Sequence, residues 1–228
     1  MSDSALTANA VEKDYPSGEK GLLRVLRGVD LRLERGDSVS IVGRSGAGKS
    51  TLLHILGALE DPSRGQVEID GKVVGRLDDS ARSRLRSRRL GFIFQFHYLL
   101  SEFSALENVM VPLRIAGVAA SKARRTAAAA LEEMGLAERL EHRPAQLSGG
   151  EQQRVAVARA LVHEPDFVLA DEPTGNLDRE NGALVSELLF GQIRKRGMGL
   201  VLVTHDQGLA GMTGRSLQLD EGRLLPVA

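Results

Sequence analysis

Val39-Ser40-Ile41-Val42-Gly43-Arg44-Ser45-Gly46-Ala47-Gly48-Lys49-Ser50-Thr51-Leu52-Leu53-His54-Ile55-Leu56 decides the fold. The first four residues form a short β-branched run, the pattern of a buried strand, and Ser50 to Leu56 reads as the first turns of a helix. Between them stands Gly-x4-Gly-Lys-Ser, a spacing that suits phosphate. A glycine-rich loop between strand and helix lets backbone N–H groups converge on an anion at the helix start, where the dipole also favours negative charge. Lys49 would neutralise the β- and γ-phosphates of a nucleotide, and the Ser50 hydroxyl would hold Mg²⁺. The candidate nucleotide contacts are therefore Gly43, Arg44, Ser45, Gly46, Ala47, Gly48, Lys49, Ser50 and Thr51. A flexible Gly/Ser linker is the rival reading; a strand on one side and a helix on the other speak against it.

Outward from this loop, the chain has 228 residues, enough for one sizeable unit with lobes. Lys+Arg and Asp+Glu both number 30, so no charge imbalance points to nucleic acid or to an anionic membrane. The absence of cysteine excludes disulfides and thiolate-bound metals. Met1-Ser2-Asp3-Ser4-Ala5-Leu6 lacks the basic and apolar regions of a signal peptide. No run of 18 apolar residues occurs, so no direct membrane span is expected, and any membrane role needs partners.

The first third is strand-rich. Val29, Leu31 and Leu33 alternate with Asp30, Arg32 and Glu34, and Val67 to Val74 carries the Asp70-Gly71 signal of a tight hairpin. From about Ser80 to Leu161 the pattern predicts helix, most clearly over alanine-rich Lys122 to Met134. Phe167 to Ala170 and Leu200 to Val203 then return as apolar strands around a helical stretch, Glu180 to Arg196, the rhythm of a parallel sheet. Ser216 to Leu224 reads as a closing hairpin. The fold class is α/β.

Asp171 and Glu172 follow the strand Phe167 to Ala170, at the tip where open α/β sheets place ligands. Asp171 would hold Mg²⁺ through water, and Glu172 would orient and deprotonate an attacking water. His205 follows the strand ending at Val203 and is expected at the same sheet edge, within reach of a γ-phosphate. The other histidines, His54, His97, His142 and His163, lack metal-ligand spacing and read as surface or packing residues. Gln95, polar within Phe92 to Phe96, is either a Mg²⁺ ligand sensing the γ-phosphate or a satisfied core amide. Tyr15, before Pro16-Ser17-Gly18, either stacks on adenine or packs. Arg82, Arg84, Arg86, Arg88 and Arg89 form a solvated helix face or a partner surface; no aromatic platform suggests nucleic acid.

Together with Leu147-Ser148-Gly149-Gly150-Glu151-Gln152 and Asn176-Leu177-Asp178, these residues resemble the ATPase subunit of ABC transporters over essentially the whole chain. The resemblance implies a P-loop NTPase with a RecA-like core, an N-terminal antiparallel β subdomain and a helical signature lobe at approximately 96–160, all within one domain, 1–228. It makes 43–50 the phosphate loop, Gln95 the Q-loop, Asp171 and Glu172 the Walker B end, Asp178 the D-loop and His205 the switch. Ser148, Gly149, Gly150 and Gln152 would act on ATP bound by a second copy of the chain, because the family's site closes between two subunits. ATP and Mg²⁺ are the implied cofactors, and integral membrane permease subunits the implied partners, with the chain peripheral on the cytoplasmic side of the inner membrane. Asp171-Glu172-Pro173-Thr174-Gly175-Asn176-Leu177-Asp178 is similar to the macrolide-exporter-type branch, whose permeases carry extracytoplasmic domains. Phe94 to Leu100 and Phe103 to Val109 are similar to lipoprotein-releasing ATPases, from which the chain departs at His97-Tyr98 and Ser101. A related drug or peptide exporter or a cell-division complex shares most of these motifs. The ATPases of DNA repair and translation fit less well, because the interval from Lys49 to Ser148 holds no sustained heptads and the chain carries one set of motifs.

Overall fold

The computed structural model describes residues 4–17 and 21–227. Met1-Ser2-Asp3 of the first stretch read for a signal peptide, Gly18 of the turn after Tyr15, and Ala228 lie outside them.

Two sheets organise the chain. Strands β1 (Ala5–Pro16), β2 (Leu22–Glu34), β4 (Arg64–Ile69) and β5 (Lys72–Val73) form an antiparallel sheet in the order β2-β1-β4-β5. Strands β3 (Ser38–Val42), β6 (Leu90–Ile93), β7 (Phe167–Asp171), β8 (Gly199–Val203), β9 (Arg215–Asp220) and β10 (Arg223–Pro226) form the second, in the order β10-β9-β3-β8-β7-β6. It is parallel from β9 to β6, with β10 antiparallel at one edge.

The strands of the parallel sheet read as unbroken apolar runs because both faces are covered. Val168, Ala170, Leu200 and Leu202 face a core shared with helices α3 (Ala105–Ile115), α4 (Ala120–Glu133), α5 (Gly149–Leu161) and α6 (Arg179–Arg196). Their neighbours Phe167, Leu169, Val201 and Val203 face a second core, built with α1 (Lys49–Leu56) and the inner side of the antiparallel sheet. Phe167 to Ala170 and Leu200 to Val203 are all fully buried. Each large side chain so buried contributes roughly 1.5–3 kcal/mol.

Local chemistry sets the boundaries. Asp70 (φ 53°) and Gly71 (φ 71°) turn β4 into β5, and Glu221 (φ 44°) and Gly222 (φ 78°) turn β9 into β10, the paired left-handed residues of a two-residue hairpin. Asp178 caps α6 by accepting from the Asn181 N–H, and Gly197 ends that helix in the left-handed conformation.

Three segments depart from the sequence expectation. β6 interrupts the stretch expected to be helical; at four residues it is too short to show a period, and its pairing to β7 (Leu90 with Phe167, Ile93 with Ala170) is a long-range contact. β1 was not legible as a strand because its alternation breaks: Ala10 (φ 46°) shifts the register between Ala8 and Val11, so the buried residues Leu6, Ala8 and Val11 change phase. The arginine run lies on α2 (Asp79–Arg89) and does not form one uniform surface. Arg82 pairs with Asp61, Arg86 donates to the Ala58 carbonyl, and Arg89 reaches Asp166 and Asp70, while Arg84 and Arg88 are exposed.

Candidate active site

In the parallel register Val203 stands opposite both Ile41 and Asp171, so β3, β7 and β8 end at one level and their next residues leave from the same edge. There they line an open cleft of about 450 Å³ with Ser45, Gly46, Gly48, Lys49, Ser50, Thr51, Gln95, Asp171, Glu172, His205 and Val25.

The loop after β3 is shaped for close approach. A Cβ on Gly43 (φ 156°) would stand 2.5 Å from the Leu219 carbonyl oxygen, and one on Gly48 (φ 99°) 2.7 Å from the Val25 side chain. Gly48 begins α1 with no side-chain cap, which leaves N–H groups of the first turn free to receive an anion. The Lys49 ammonium donates to the Gly43 and Arg44 carbonyls at 2.9 and 3.0 Å, holding it over the loop.

Glu172 (φ 46°) turns the chain sharply out of β7 while its N–H still bonds the Val203 carbonyl at 2.9 Å. Its carboxylate accepts from the Thr204 hydroxyl at 3.2 Å and lies 2.8 Å from His205 Nδ1. The His205 side chain is 73% exposed and that of Glu172 15%, so the carboxylate is recessed and the imidazole stands at the rim. Gln95, just beyond β6, exchanges two hydrogen bonds with Asn176: its amide donates to Asn176 Oδ1 at 3.0 Å, and Asn176 Nδ2 donates to its carbonyl at 3.1 Å. Ser50, Gln95 and Asp171 supply hard oxygen atoms to the cleft, a set that suits Mg²⁺ completed by phosphate and water.

Tyr15 is not among the residues lining this cleft. Its hydroxyl donates to Glu60 at 2.8 Å, and Lys13 Nζ stands 5.1 Å from the ring centre. Burial, with the Glu60 charge, raises the Tyr15 hydroxyl above its ordinary pKa, although the Thr51 side chain opposes the shift, and Thr51 does line the cleft. Burial also pushes the Glu60 carboxyl up, but hydrogen bonds from Lys13 and Tyr15 and the Lys13 charge together leave it below its usual range.

The signature residues lie elsewhere. Ser148 caps α5, accepting from the Glu151 N–H at 3.2 Å, while Glu151 accepts from the Ser148 N–H at 2.8 Å. That backbone hydrogen bond, against the cost of burial and with help from Arg139, holds the Glu151 carboxyl below its usual range. Ser148 and Gly149 are exposed, and neither lines the cleft. Gly150 is buried against Asn181, whose Oδ1 would stand 2.3 Å from a Cβ there. Asn181 is in turn fixed by Asp178 at 2.7 and 2.9 Å, and its backbone N–H above all lowers the Asp178 pKa. The structure thus brings Gly150 and Asp178 together through Asn181 at one place, and Lys49, Asp171, Glu172 and His205 at another. Gln152 belongs to neither exposed set: its amide donates to Pro144 and Leu147 carbonyls, both at 3.1 Å, bracing the turn before α5.

A family model described as "ABC transporter" matches residues 26–175. The chain belongs to the ABC transporter family. It is similar to the lipoprotein-releasing system ATP-binding protein LolD of Legionella pneumophila (strain Paris), 50% identical over 98% of each chain. The LolD protein of Geobacter metallireducens is 52% identical over 97% of this chain and 98% of its own. A dimeric post-hydrolysis structure of the ATP-binding cassette MJ0796 bound to ADP and Pi has 38% identity and a TM-score of 0.89, with 96% of each chain covered. The fold is accordingly that of the ABC ATPase cassette, and the chain is an ATP-binding, ATP-hydrolysing transporter subunit. No helix among the described residues is long and apolar enough to cross a membrane.

Two residues of this ABC ATPase escaped the sequence reading. Glu151, quoted only as part of the signature, closes the capping box; the Ser-x-x-Glu spacing could have revealed it. Gln153 is fully buried, donates to the Phe94 and Pro173 carbonyls at 3.2 and 2.6 Å, and meets His97 Nδ1 through its Oε1. No local pattern announces it, and the same contact takes His97 out of the surface residues.

Proposed function

We propose that two copies of this chain meet head-to-tail, so that Ser148, Gly149 and Gly150 of each face the ATP held at Gly43 to Thr51 of the other, and that the dimer drives a separately encoded permease releasing lipoproteins from the inner membrane. The single observation carrying the shared site is the separation within one subunit of the exposed, capped start of α5 from the cleft holding Lys49, Glu172 and His205. The LolD names of relatives that are half identical over nearly their full length support the cargo, and the dimeric cassette supports the assembly.

In this reading residues 1–228 act as one nucleotide-binding domain whose helical lobe, approximately 96–160, carries the signature. The free N–H groups before α1 and the Lys49 ammonium receive the phosphates. Ser50, Gln95 and Asp171 would hold Mg²⁺, which would supply charge neutralisation on the phosphate oxygens. Glu172, recessed and aligned by Thr204 and His205, accepts the proton of the attacking water. With Nδ1–H committed to Glu172, His205 turns Nε2 toward the γ-phosphate side. Tyr15, bearing Lys13 on its ring, flanks the adenine beyond Thr51, and Asp178 holds the signature of its own subunit through Asn181. Gln152 assists the signature by bracing its preceding turn. The protein sits peripherally on the cytoplasmic face through its permease.

Mixing two defective subunits tests the shared site. A heterodimer of Lys49→Ala with Ser148→Arg places both defects in one composite site and leaves the other intact, whereas each homodimer has two damaged sites. The mixture is expected to hydrolyse ATP faster than either parent or, where the sites fire only together, to retain one tightly held ATP. Heterodimers that form yet gain neither would refute it; co-purification with a permease that releases lipoproteins into a soluble acceptor tests the cargo.

A further inference from the structure

We infer that Gln153 is a positioning residue that makes the loops around one nucleotide answer to the signature helix facing the other; this rests on the shared-site reading above. Its side-chain amide joins three segments distant in sequence. The donors go to the Phe94 carbonyl (3.2 Å), one residue before Gln95, and to the Pro173 carbonyl (2.6 Å), one residue after Glu172. The acceptor meets His97 Nδ1, and the His97 and Tyr98 carbonyls are themselves held by Arg159, both at 2.7 Å, from the same helix α5. Gln153 begins the second turn of the helix that Ser148 caps, and its own exposure is zero.

A buried amide with both donors and its acceptor engaged cannot shift relative to its partners without leaving polar atoms unpaired, which is costly away from water. Displacement of the start of α5 by a partner's nucleotide is therefore transmitted to the peptides flanking Gln95 and Glu172. Those loops are already locked to each other by the Gln95–Asn176 pair, and a Cβ on Gly175 would stand 3.1 Å from the Gln95 amide, so they move together. Pairing these buried carbonyls serves the fold as well; the simultaneous reach of one amide to both catalytic loops is what a coupling role adds.

The test compares Gln153→Leu, similar in size and without polarity, and Gln153→Asn, which stays polar but is too short to span both carbonyls. For each, affinity for a fluorescent ATP analogue, kcat, the Hill coefficient of hydrolysis and the thermal transition are measured on the full-length protein. Both variants are expected to bind the analogue within about twofold of the parent, since the phosphate loop is untouched, while kcat per folded protein falls at least about tenfold and the Hill coefficient drops toward about 1. A merely structural role would lower the transition temperature and reduce affinity and kcat together, in proportion to the folded fraction. Should the leucine variant fail to fold, Gln153→Asn decides: kcat within about twofold of the parent overturns the inference. Failure of the shared-site reading shows separately, as a parent that does not dimerise with ATP when Glu172 is changed to Gln.

Discussion

Glu172→Gln separates the chemistry of the cleft from its architecture. Glutamine has the volume of glutamate, and both existing contacts accommodate it. The amide oxygen can accept from His205 Nδ1, now 2.8 Å from Oε1, and the amide nitrogen can donate to the Thr204 hydroxyl, 3.2 Å from Oε2. That hydroxyl already accepts from the Asp206 N–H at 3.1 Å and has a second lone pair free. Folding stability should therefore change by less than about 1 kcal/mol. What disappears is the proton acceptor, a loss of about 10²–10⁴ in turnover, equivalent to roughly 3–5 kcal/mol of barrier. Phosphate release at saturating ATP and Mg²⁺ measures the first quantity, and gel filtration with ATP measures retention of nucleotide in a dimer. Turnover within about threefold of the parent would show that the water gives its proton elsewhere.

The remaining expectations concern ligand and pH. Lys49→Ala removes a charge poised over Gly43 and Arg44, present in ground and transition state alike, so nucleotide affinity and turnover should fall together; an unchanged titration with ATP would put the phosphates somewhere else. His163 donates through Nε2 to the Leu90 carbonyl at 3.0 Å while its buried Nδ1 has no partner among the described residues, and burial holds its pKa below 6.5. Because the unfolded chain takes up that proton first, the stabilisation is complete above about pH 6.5 and declines as pH falls toward the folded pKa, by up to about 1.4 kcal/mol per unit. Urea unfolding at several pH values should show that slope flattened by as much as one proton in His163→Gln, and equal slopes would contradict it.

The phosphate loop was legible because its chemistry is contiguous: glycines at positions that need close approach, then lysine and a hydroxyl, with an apolar strand before and a helix after. Asp171 and Glu172 were legible for a similar reason, as carboxylates ending an apolar run. Tyr15 is different. Its surroundings combine Lys13 on the same strand, whose period is hidden by the Ala10 bulge, with Glu60 from the distant connection between α1 and β4. Gln153 is the extreme case, since its meaning resides in carbonyls at residues 94 and 173, and only the folded chain shows that a glutamine inside a helix is buried. The order of the motifs gave the family, while the division of labour between Glu151, Gln152 and Gln153 needed geometry.

The outward-facing start of α5 also governs thrift. Under the shared-site proposal, a solitary copy would own a complete phosphate grip and a recessed base yet lack the donors that finish the reaction, so its wasteful turnover would scale with encounters between copies and vanish on dilution. Fixing two copies side by side on one scaffold raises their effective concentration to the millimolar range for short tethers. Hydrolysis would then be confined to assembled machines, with idle subunits left loaded but silent, and no inhibitor would be needed to keep them so.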